Sequence, residues 1–275
     1  YGRVVYYFPL ITFEENFKMK KTSIVVWAVV ILVSVTLITG CCQQVTRHGS
    51  VISIDKGNIC EYNKLHANVW PGVLKNIRQS NIENYSIYSG QTEADKYYLF
   101  SYYEYSGCDY KKDMAKMAKD KEMQKWSDIT LPMLKPLEVR KEGEYGAEWE
   151  EVFHYAGPAY KGKCVKRIGS IIGIEEKNIL AYTQLHKTVW PGVLASIEKC
   201  NIRNYSIYLG QIERGNWLLF SYFEYIGNDF EGDMAKIGDE VTKVWWTYTD
   251  PLQRPLPTRK EGEHWATMEE IFHTN

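Results

Sequence analysis

The chain carries one sequence pattern twice. At an offset of 120 residues, the two copies share runs built around a tyrosine, a histidine and a tryptophan. The matching segments are 62–74 with 182–194, 84–88 with 204–208, and 99–102 with 219–222. In the last loop the offset falls to 119, so that residues 150–154 match 269–273. A solenoid repeat is only about 20–50 residues long, so this period indicates a duplicated domain whose copies each have a core.

Each copy has the pattern of a small α+β module. In the second copy, the hydrophobic spacing predicts strands over 167–174, 204–209, 217–225 and 268–273 and helices over 177–199 and 229–247. Pro191 is expected to bend or restart the first helix, and Asp229 to cap the second. The order βαββαβ predicts two tandem ferredoxin-like modules, each an antiparallel sheet with helices on one side.

The second face of each sheet also needs cover. Two modules in one chain can cover each other, which predicts a pseudo-dimer of the dimeric α/β-barrel type. The protein is therefore expected to be a monomer with pseudo-twofold symmetry.

Residues 19–41 are typical of an export signal. A basic start at Met19 precedes an apolar run over 24–38, and small residues precede Cys41. The run Leu-Ile-Thr-Gly-Cys that ends at Cys41 also resembles a bacterial lipobox, in which the cysteine carries the lipid. The alternative is an uncleaved membrane helix, although about 15 apolar residues fall short of the roughly 20 that span a bilayer. The signal predicts a lipid-anchored protein of the bacterial cell envelope, periplasmic or associated with the outer membrane.

The signal and the repeat together divide the chain into segments. These are an upstream segment 1–18, the signal 19–41, a tether 42–46, the first module 47–154, a linker 155–165 and the second module 166–275. A net charge of -1 gives no footprint for nucleic acid. Outside the signal, the copies share no cysteine, and no metal-spaced His/Cys cluster occurs, so the sequence predicts neither a disulfide framework nor structural zinc.

The repeated helix carries the candidate chemistry. Tyr182 and His186 are four residues apart and so share one helix face, which Trp190 continues. The first copy has the same triplet at 62, 66 and 70, while the residues between have diverged. The alternative interpretation is a helix face that packs on its own sheet with the histidine at its border. Trp245 and Trp246 lie about 100° apart on the second helix, so one of them is expected to face a cavity.

These motifs, taken in order, resemble the L-rhamnose mutarotase family. They are Tyr-x3-His-x3-Trp-Pro, Asn-Tyr-Ser-Ile-Tyr, Leu-Phe-Ser-Tyr-Phe-Glu-Tyr, Trp-Trp and Met-Glu-Glu-Ile-Phe-His. The likeness covers 166–273 and, more loosely, 47–154. It implies a module that interconverts the α and β anomers of a deoxyhexose, usually as a homodimer.

The resemblance also implies site residues. In the second copy, His186 corresponds to the acid/base histidine, and the sugar-binding residues are Tyr182, Tyr205, Trp245 and Trp246. In the first copy the corresponding residues are His66, Tyr62, Tyr85 and Trp126. There Lys125 is expected in place of the other tryptophan, and 130–134 diverges from 249–253. The resemblance therefore implies that the second site is the more complete one and that the first is partly degenerate, either active or reduced to a structural partner.

Mutarotation fits these residue types without a cofactor or a metal. It opens and recloses the sugar ring by proton transfer, which a histidine near its ordinary pKa of about 6.5 can perform at neutral pH. Indole rings can stack on the apolar face of a sugar. Whether the sugar is L-rhamnose, fucose or a relative stays open. The alternatives are a non-catalytic sugar-binding lipoprotein and, by fold analogy alone, another activity such as a cofactor-independent oxygenase.

Overall fold

The computed structural model describes residues 45–162 and 164–275, so the signal, Cys41 and most of the tether lie outside the described residues. The first module contains β1 (Thr46–Ile54), α1 (Ile59–Ala67), α2 (Pro71–Gln79), β2 (Ile82–Glu93), β3 (Lys96–Tyr105), α3 (Tyr110–Ala118), α4 (Lys121–Thr130), β4 (Leu134–Lys135) and β5 (Ala147–Tyr155). The second contains β6 (Lys166–Ile174), α5 (Ile179–Lys187), α6 (Pro191–Lys199), β7 (Ile202–Glu213), β8 (Asn216–Tyr225), α7 (Phe230–Lys236), α8 (Glu240–Thr249), β9 (Gln253–Arg254), β10 (Ala266–Thr267) and β11 (Glu269–Thr274). Within these ranges, the helices are too short or too polar to cross a bilayer.

Each predicted helix of the second module is two helices in the structure. The first ends after α5 and restarts at Pro191, because a proline keeps the preceding Trp190 in an extended conformation and suits the first position of a new helix. The predicted helix over 229–247 is also interrupted, between α7 and α8. Asp229 caps α7 as expected, but Asp239 captures the backbone N–H of Thr242 and starts α8 as a separate helix.

The last strand of each module crosses into the sheet of the other module. β5 pairs with β1 over residues 147–149 and then with β7 over residues 150–155. In the second module, β10 pairs with β6 and β11 pairs with β2. The strand order is β10-β6-β8-β7-β5-β1-β3-β2-β11, and only Met268 separates β10 from β11. The sheet therefore closes on itself, which confirms the predicted ferredoxin-like pseudo-dimer of the dimeric α/β-barrel type.

Both modules contribute to the core inside this barrel. Its large buried side chains include Val51, Tyr88, Phe100, Trp149, Ile171, Tyr208 and Phe220. Gly49 and Gly169 allow rings of the opposite module to lie on the backbone, because an added Cβ would come within 2.4 Å of Tyr208 or 2.6 Å of Tyr88. The outer face of the sheet packs against the helices in separate cores, one on the first module and two on the second.

A polar cluster joins the two modules where Tyr102 and Tyr222 stack, with ring centroids 3.7 Å apart. Four residues form this axial cluster, namely Asn84, Asn204, Glu104 and Glu224. The amide nitrogen of each asparagine donates to both carboxylates over 2.7–2.9 Å. Both asparagines have positive φ, 48° and 45°, a conformation that asparagine tolerates better than most residues. Two of these four hydrogen bonds join one module to the other, and the other two lie within a single module. Together they hold the two carboxylates close to each other.

Candidate active site

A cavity of about 410 Å³ opens in the second module between α5, α8 and the outer face of the sheet. All five site residues predicted for this module line it. The lining residues are Phe153, Tyr182, His186, Val189, Val193, Ile197, Tyr205, Ile207, Ile237, Thr242, Trp245, Trp246, Thr249, Asp250, Gln253, His264 and Trp265. The volume lies within the usual range for small-molecule sites, about 300–1,000 Å³.

His186 has a fixed orientation in this cavity. Its Nδ1 atom lies 3.0 Å from the backbone carbonyl oxygen of Tyr182, and a carbonyl can only accept. Nδ1 therefore carries the proton, and Nε2 presents a lone pair in the neutral ring. The Tyr182 ring stacks on the imidazole at 4.0 Å, while Phe153 and Trp245 approach it edge-on at 5.8 and 5.5 Å.

Burial changes the acid strength of these groups. It lowers the pKa of His186 to about 4, so the imidazole is neutral at pH 7. The expectation of a histidine near its ordinary pKa is therefore wrong, because burial in the cavity wall disfavours the charged ring. Burial also raises the pKa of Tyr205 to about 12 and that of Tyr182 well above its usual value. Both tyrosines are hydrogen-bond donors at neutral pH.

A group of polar side chains also lines the cavity, beside the Tyr182 hydroxyl group. The Gln253 amide nitrogen lies 3.4 Å from the Tyr182 hydroxyl oxygen, and the Gln253 amide oxygen lies 2.8 Å from Nε2 of His264. The same Nε2 atom is 3.7 Å from a carboxylate oxygen of Asp250. Burial raises the pKa of Asp250, while the nearby His264 opposes this shift. We call Asp250, Gln253 and His264 the polar arm.

The two adjacent tryptophans have different positions, as their helical spacing predicts. Trp245 is buried and packs edge-on against His186 and Trp190. Trp246 is 37% exposed and lies over Gly238, in the turn before α8. Trp190 packs behind Trp245 rather than lining the cavity. Of this adjacent pair, one indole thus lies in the cavity wall and the other at its rim, and Trp265 adds a third indole to the lining.

Phe153 reaches this cavity from the first module. A β-bulge at Val152 separates the pairs Glu151 with Tyr208 and Phe153 with Ile207. Strand residues alternate between faces, so the extra residue moves Phe153 from the barrel interior to the helix side. The site is therefore built from both modules.

Five of the lining residues were not predicted from the sequence, namely Phe153, Asp250, Gln253, His264 and Trp265. Asp250 and Gln253 lie in a segment whose divergence between the copies was noticed, and this divergence was the available signal. His264 and Trp265 lie in a loop, where no periodicity places a side chain. Phe153 belongs to a strand whose partner cannot be read from its own pattern.

The first module repeats the aromatic half of the site. Tyr62 stacks on His66 at 4.0 Å, the Nδ1 atom of His66 lies 3.0 Å from the Tyr62 carbonyl oxygen, and Trp126 approaches at 5.2 Å. Phe272 takes the place of Phe153, with centroids 5.9 Å from His66 and 5.4 Å from Tyr85. All four predicted residues of the first site are therefore brought together.

The polar half of the site is missing from the first module. Leu134 pairs with Ile54 as Gln253 pairs with Ile174, which fixes the correspondence at an offset of 119. At this offset Leu131, Leu134 and Tyr145 replace Asp250, Gln253 and His264. Leu134, Met123 and Met133 pack against the core that contains Tyr62 and Trp126.

The same offset corrects one detail of the sequence comparison. Trp126 contacts His66 and Trp70 as Trp245 contacts His186 and Trp190. The counterpart of Trp246 is therefore Ser127, and Lys125 corresponds to Val244. The offset changes before α4, earlier than the last loop, because α7 is shorter than α3.

Over residues 45–162 and 164–275, no group of three or more His, Cys, Asp or Glu side chains is placed to hold a metal ion. The cavity presents a histidine lone pair, phenol donors, a carboxylate and indole faces. This arrangement can bind a small polyhydroxylated ligand and move protons on it.

Comparison with known proteins gives a consistent match. The family model described as L-rhamnose mutarotase matches the chain twice, over residues 47–155 and 167–274. An L-rhamnose mutarotase from Oceanobacillus iheyensis is 26% identical over 110 residues, which cover 40% of this chain and 98% of that protein.

Solved structures that are similar include proteins described as monooxygenases. One from Fusobacterium nucleatum is 13% identical, with a TM-score of 0.49, over 84% of this chain and 94% of its own. One from Lactobacillus acidophilus is 8% identical, with a TM-score of 0.47, over 84% and 96%.

Proposed function

The chain belongs to the L-rhamnose mutarotase family, and on this premise we propose that the cavity around His186 interconverts the α and β anomers of L-rhamnose or a related deoxyhexose. The observation that carries the proposal is the pairing of a proton acceptor and a proton donor on one cavity wall. Nε2 of His186 offers a lone pair, and the Tyr182 ring stacked on it offers a hydroxyl group. Trp245 and Trp246 supply apolar faces on which a pyranose can stack.

The proposed mechanism uses these two groups in opposite senses. Nε2 of His186 takes the proton of the anomeric hydroxyl, whose electron pair forms the C1=O double bond. The C1–O5 bond breaks, its electron pair goes to O5, and Tyr182 gives O5 a proton. After rotation about the C1–C2 bond, O5 returns its proton to Tyr182 as it attacks the other face of C1, and His186 reprotonates O1. Both side chains end in their starting state, so neither a cofactor nor a metal is consumed.

The first module acts in this proposal as a structural partner. It supplies Phe153 to the site around His186. At the positions of the polar arm, the first module has Leu131, Leu134 and Tyr145. A sugar entering beside His66 would meet Leu131 and Leu134 where the second site offers Asp250 and Gln253, and hydroxyl groups left without a partner are costly. We therefore place catalysis in the second module alone.

The test is anomer exchange in the full chain, measured by saturation-transfer NMR at the anomeric proton of L-rhamnose and of other deoxyhexoses. General base catalysis typically contributes about 10²–10⁴-fold, so His186→Ala should reduce exchange by about 100-fold or more. The matched control His66→Ala changes the equivalent residue of the first module and should leave exchange within about twofold of wild type. No exchange above that in buffer, or full exchange by His186→Ala and His66→Ala combined, would contradict the proposal.

One observation favours a second candidate function, a sugar-binding protein without catalysis. A base with a pKa of about 4 is weak at neutral pH, where catalysis is best served by a pKa near the working pH. Binding of L-rhamnose, measured by titration, without any increase in anomer exchange would support this second function.

We also propose that a lipid on Cys41 holds the protein at the bacterial cell envelope. The support is the basic, apolar and small-residue order of 19–41. Mass spectrometry of the protein isolated from membranes should find Cys41 as a lipidated first residue. An unmodified Cys41 inside an intact amino-terminal segment would contradict this proposal.

A further inference from the structure

A line of hydrogen bonds leads from the polar arm to the proposed proton donor. Nε2 of His264 lies 2.8 Å from the amide oxygen of Gln253, and the amide nitrogen of Gln253 lies 3.4 Å from the hydroxyl oxygen of Tyr182. Within the described residues, Gln253 is the hydrogen-bond partner of this hydroxyl group. All these side chains line the same cavity.

The His264 end determines which atoms in this series of hydrogen bonds donate and which accept. Two oxygen atoms face Nε2 of His264, the amide oxygen of Gln253 at 2.8 Å and a carboxylate oxygen of Asp250 at 3.7 Å. Both are acceptors, so Nε2 carries a proton. An amide has a donor end and an acceptor end, and with its oxygen bound to His264, Gln253 must present its N–H to Tyr182.

The hydroxyl oxygen of Tyr182 is then an acceptor of this N–H. Its own proton has no acceptor on the Gln253 side and remains available to a ligand in the cavity. The orientation matches the need for a proton at O5 when the ring opens.

We propose that Gln253 and His264 are positioning residues that hold the Tyr182 hydroxyl as a donor toward the ring oxygen, with Asp250 keeping the required proton on His264. This inference rests on the proposed mutarotase function of the cavity. The protons that move are those already described, from Tyr182 to O5 and from O1 to His186, and the polar arm exchanges none.

The first module shows what the same backbone looks like without this arm. Leu134 holds the register position of Gln253, pairing with Ile54 as Gln253 pairs with Ile174. The tyrosine and the histidine of that module keep their stacking at 4.0 Å although the amide is absent. The fold therefore accepts leucine here, and Gln253→Leu is expected to fold.

Two substitutions of Gln253 distinguish a role in positioning the Tyr182 hydroxyl group from a role in packing. Gln253→Leu fills similar space without a hydrogen bond. Gln253→Glu is nearly isosteric, but its carboxylate can only accept, so it takes the Tyr182 proton away from the sugar. Glu261→Gln, at an exposed site in the same loop, is the control.

In the full chain at neutral pH, both Gln253 variants should lower kcat for anomer exchange by about tenfold or more, with KM within about threefold of wild type. The Gln253→Glu variant alone should regain kcat as the pH falls, because a protonated carboxyl group again offers a donor. The control should match wild type. Wild-type kcat in Gln253→Leu, or full rescue by Gln253→Glu at neutral pH, would overturn the inference.

A second readout does not depend on turnover. In protein labelled with ¹³C at the tyrosine Cζ position, the Tyr182 resonance is assigned by its loss in Tyr182→Phe. Relative to wild type, it should shift in opposite directions when the hydroxyl loses a donor partner, in Gln253→Leu, and when it gains an acceptor, in Gln253→Glu. Unchanged resonances in both variants would overturn the inference even if wild type catalyses exchange. The expected shifts without wild-type exchange would sustain the positioning and reject only the mutarotase function.

Discussion

Phe153 and Phe272 offer a matched test of whether one module completes the site of the other. Each is 8% exposed, lies after a β-bulge in a crossed strand, and packs edge-on against a histidine and a tyrosine of the opposite module. The centroid distances are 5.8 and 5.4 Å for Phe153, and 5.9 and 5.4 Å for Phe272. Replacing a buried phenylalanine with alanine typically costs about 3–5 kcal/mol. We therefore expect Phe153→Ala and Phe272→Ala to lose similar unfolding free energy, within about 1 kcal/mol of each other.

Their effects on activity should differ, because only Phe153 lines the candidate active site. Removing its ring opens the wall behind His186, so anomer exchange per folded molecule should fall about tenfold or more in Phe153→Ala. Phe272→Ala should stay within about twofold of wild type. Denaturant unfolding gives the stability of each variant, and saturation-transfer NMR at low temperature, where both remain folded, gives the exchange rate. Equal exchange rates in the two variants would refute the idea that the first module contributes to catalysis in the second.

Three further predictions concern charge. Burial lowers the pKa of His186 to about 4, and the neutral ring is the proposed base. The kcat/KM for anomer exchange should therefore stay level from pH 8 to about 5.5 and fall only as the pH approaches 4. A midpoint near 6.5, the ordinary histidine value, would contradict this prediction. Because this pKa is lower in the folded protein, the unfolded chain binds the proton more tightly. His186 should therefore contribute stability above about pH 6.5 that is lost as the pH falls toward 4. Urea unfolding of wild type and His186→Phe over this pH range should show that wild type alone loses this contribution. In the axial cluster, Asn204→Asp would place a third carboxylate against Glu104 and Glu224, now 2.7 and 2.9 Å from the Asn204 amide nitrogen. This substitution should cost about 3 kcal/mol or more in urea unfolding at pH 7, and an unchanged unfolding midpoint would contradict the prediction.

Hydrophobic periodicity predicted the main strands and the helical regions of this fold, since helices and strands each bury one face at a fixed spacing, but it did not predict the break within each helical region. It also placed Tyr182 and His186 on one helix face, where the structure finds their rings stacked. The crossing of β5 and β11 could not be predicted this way. The pattern of a strand shows which of its faces is buried, but it does not show which strand it pairs with. Both modules have sheet edges that a strand with this pattern could join.

Local backbone events account for the other differences. The break between α7 and α8 depends on Asp239 competing for one backbone N–H group, which a helical pattern of apolar residues does not reveal. The bulge at Val152 reverses the face of Phe153 with a single extra residue. The polar arm depends on a loop that brings His264 back to Gln253, eleven positions away, where no repeating pattern exists.

Because both modules lie in one chain, each of the two sites can be substituted independently of the other. In a symmetric dimer every substitution occurs in both sites, so the polar arm cannot be replaced in one without loss in the other. Here Leu131 and Leu134 alter only the first site, where Leu134 adds to the apolar core beside Tyr62. Among the residues that line the second site, Phe153 is the one that the first module supplies. The barrel can therefore keep its pseudo-symmetry while one half of the molecule gains core packing and the other half keeps the polar arm that lines the candidate active site.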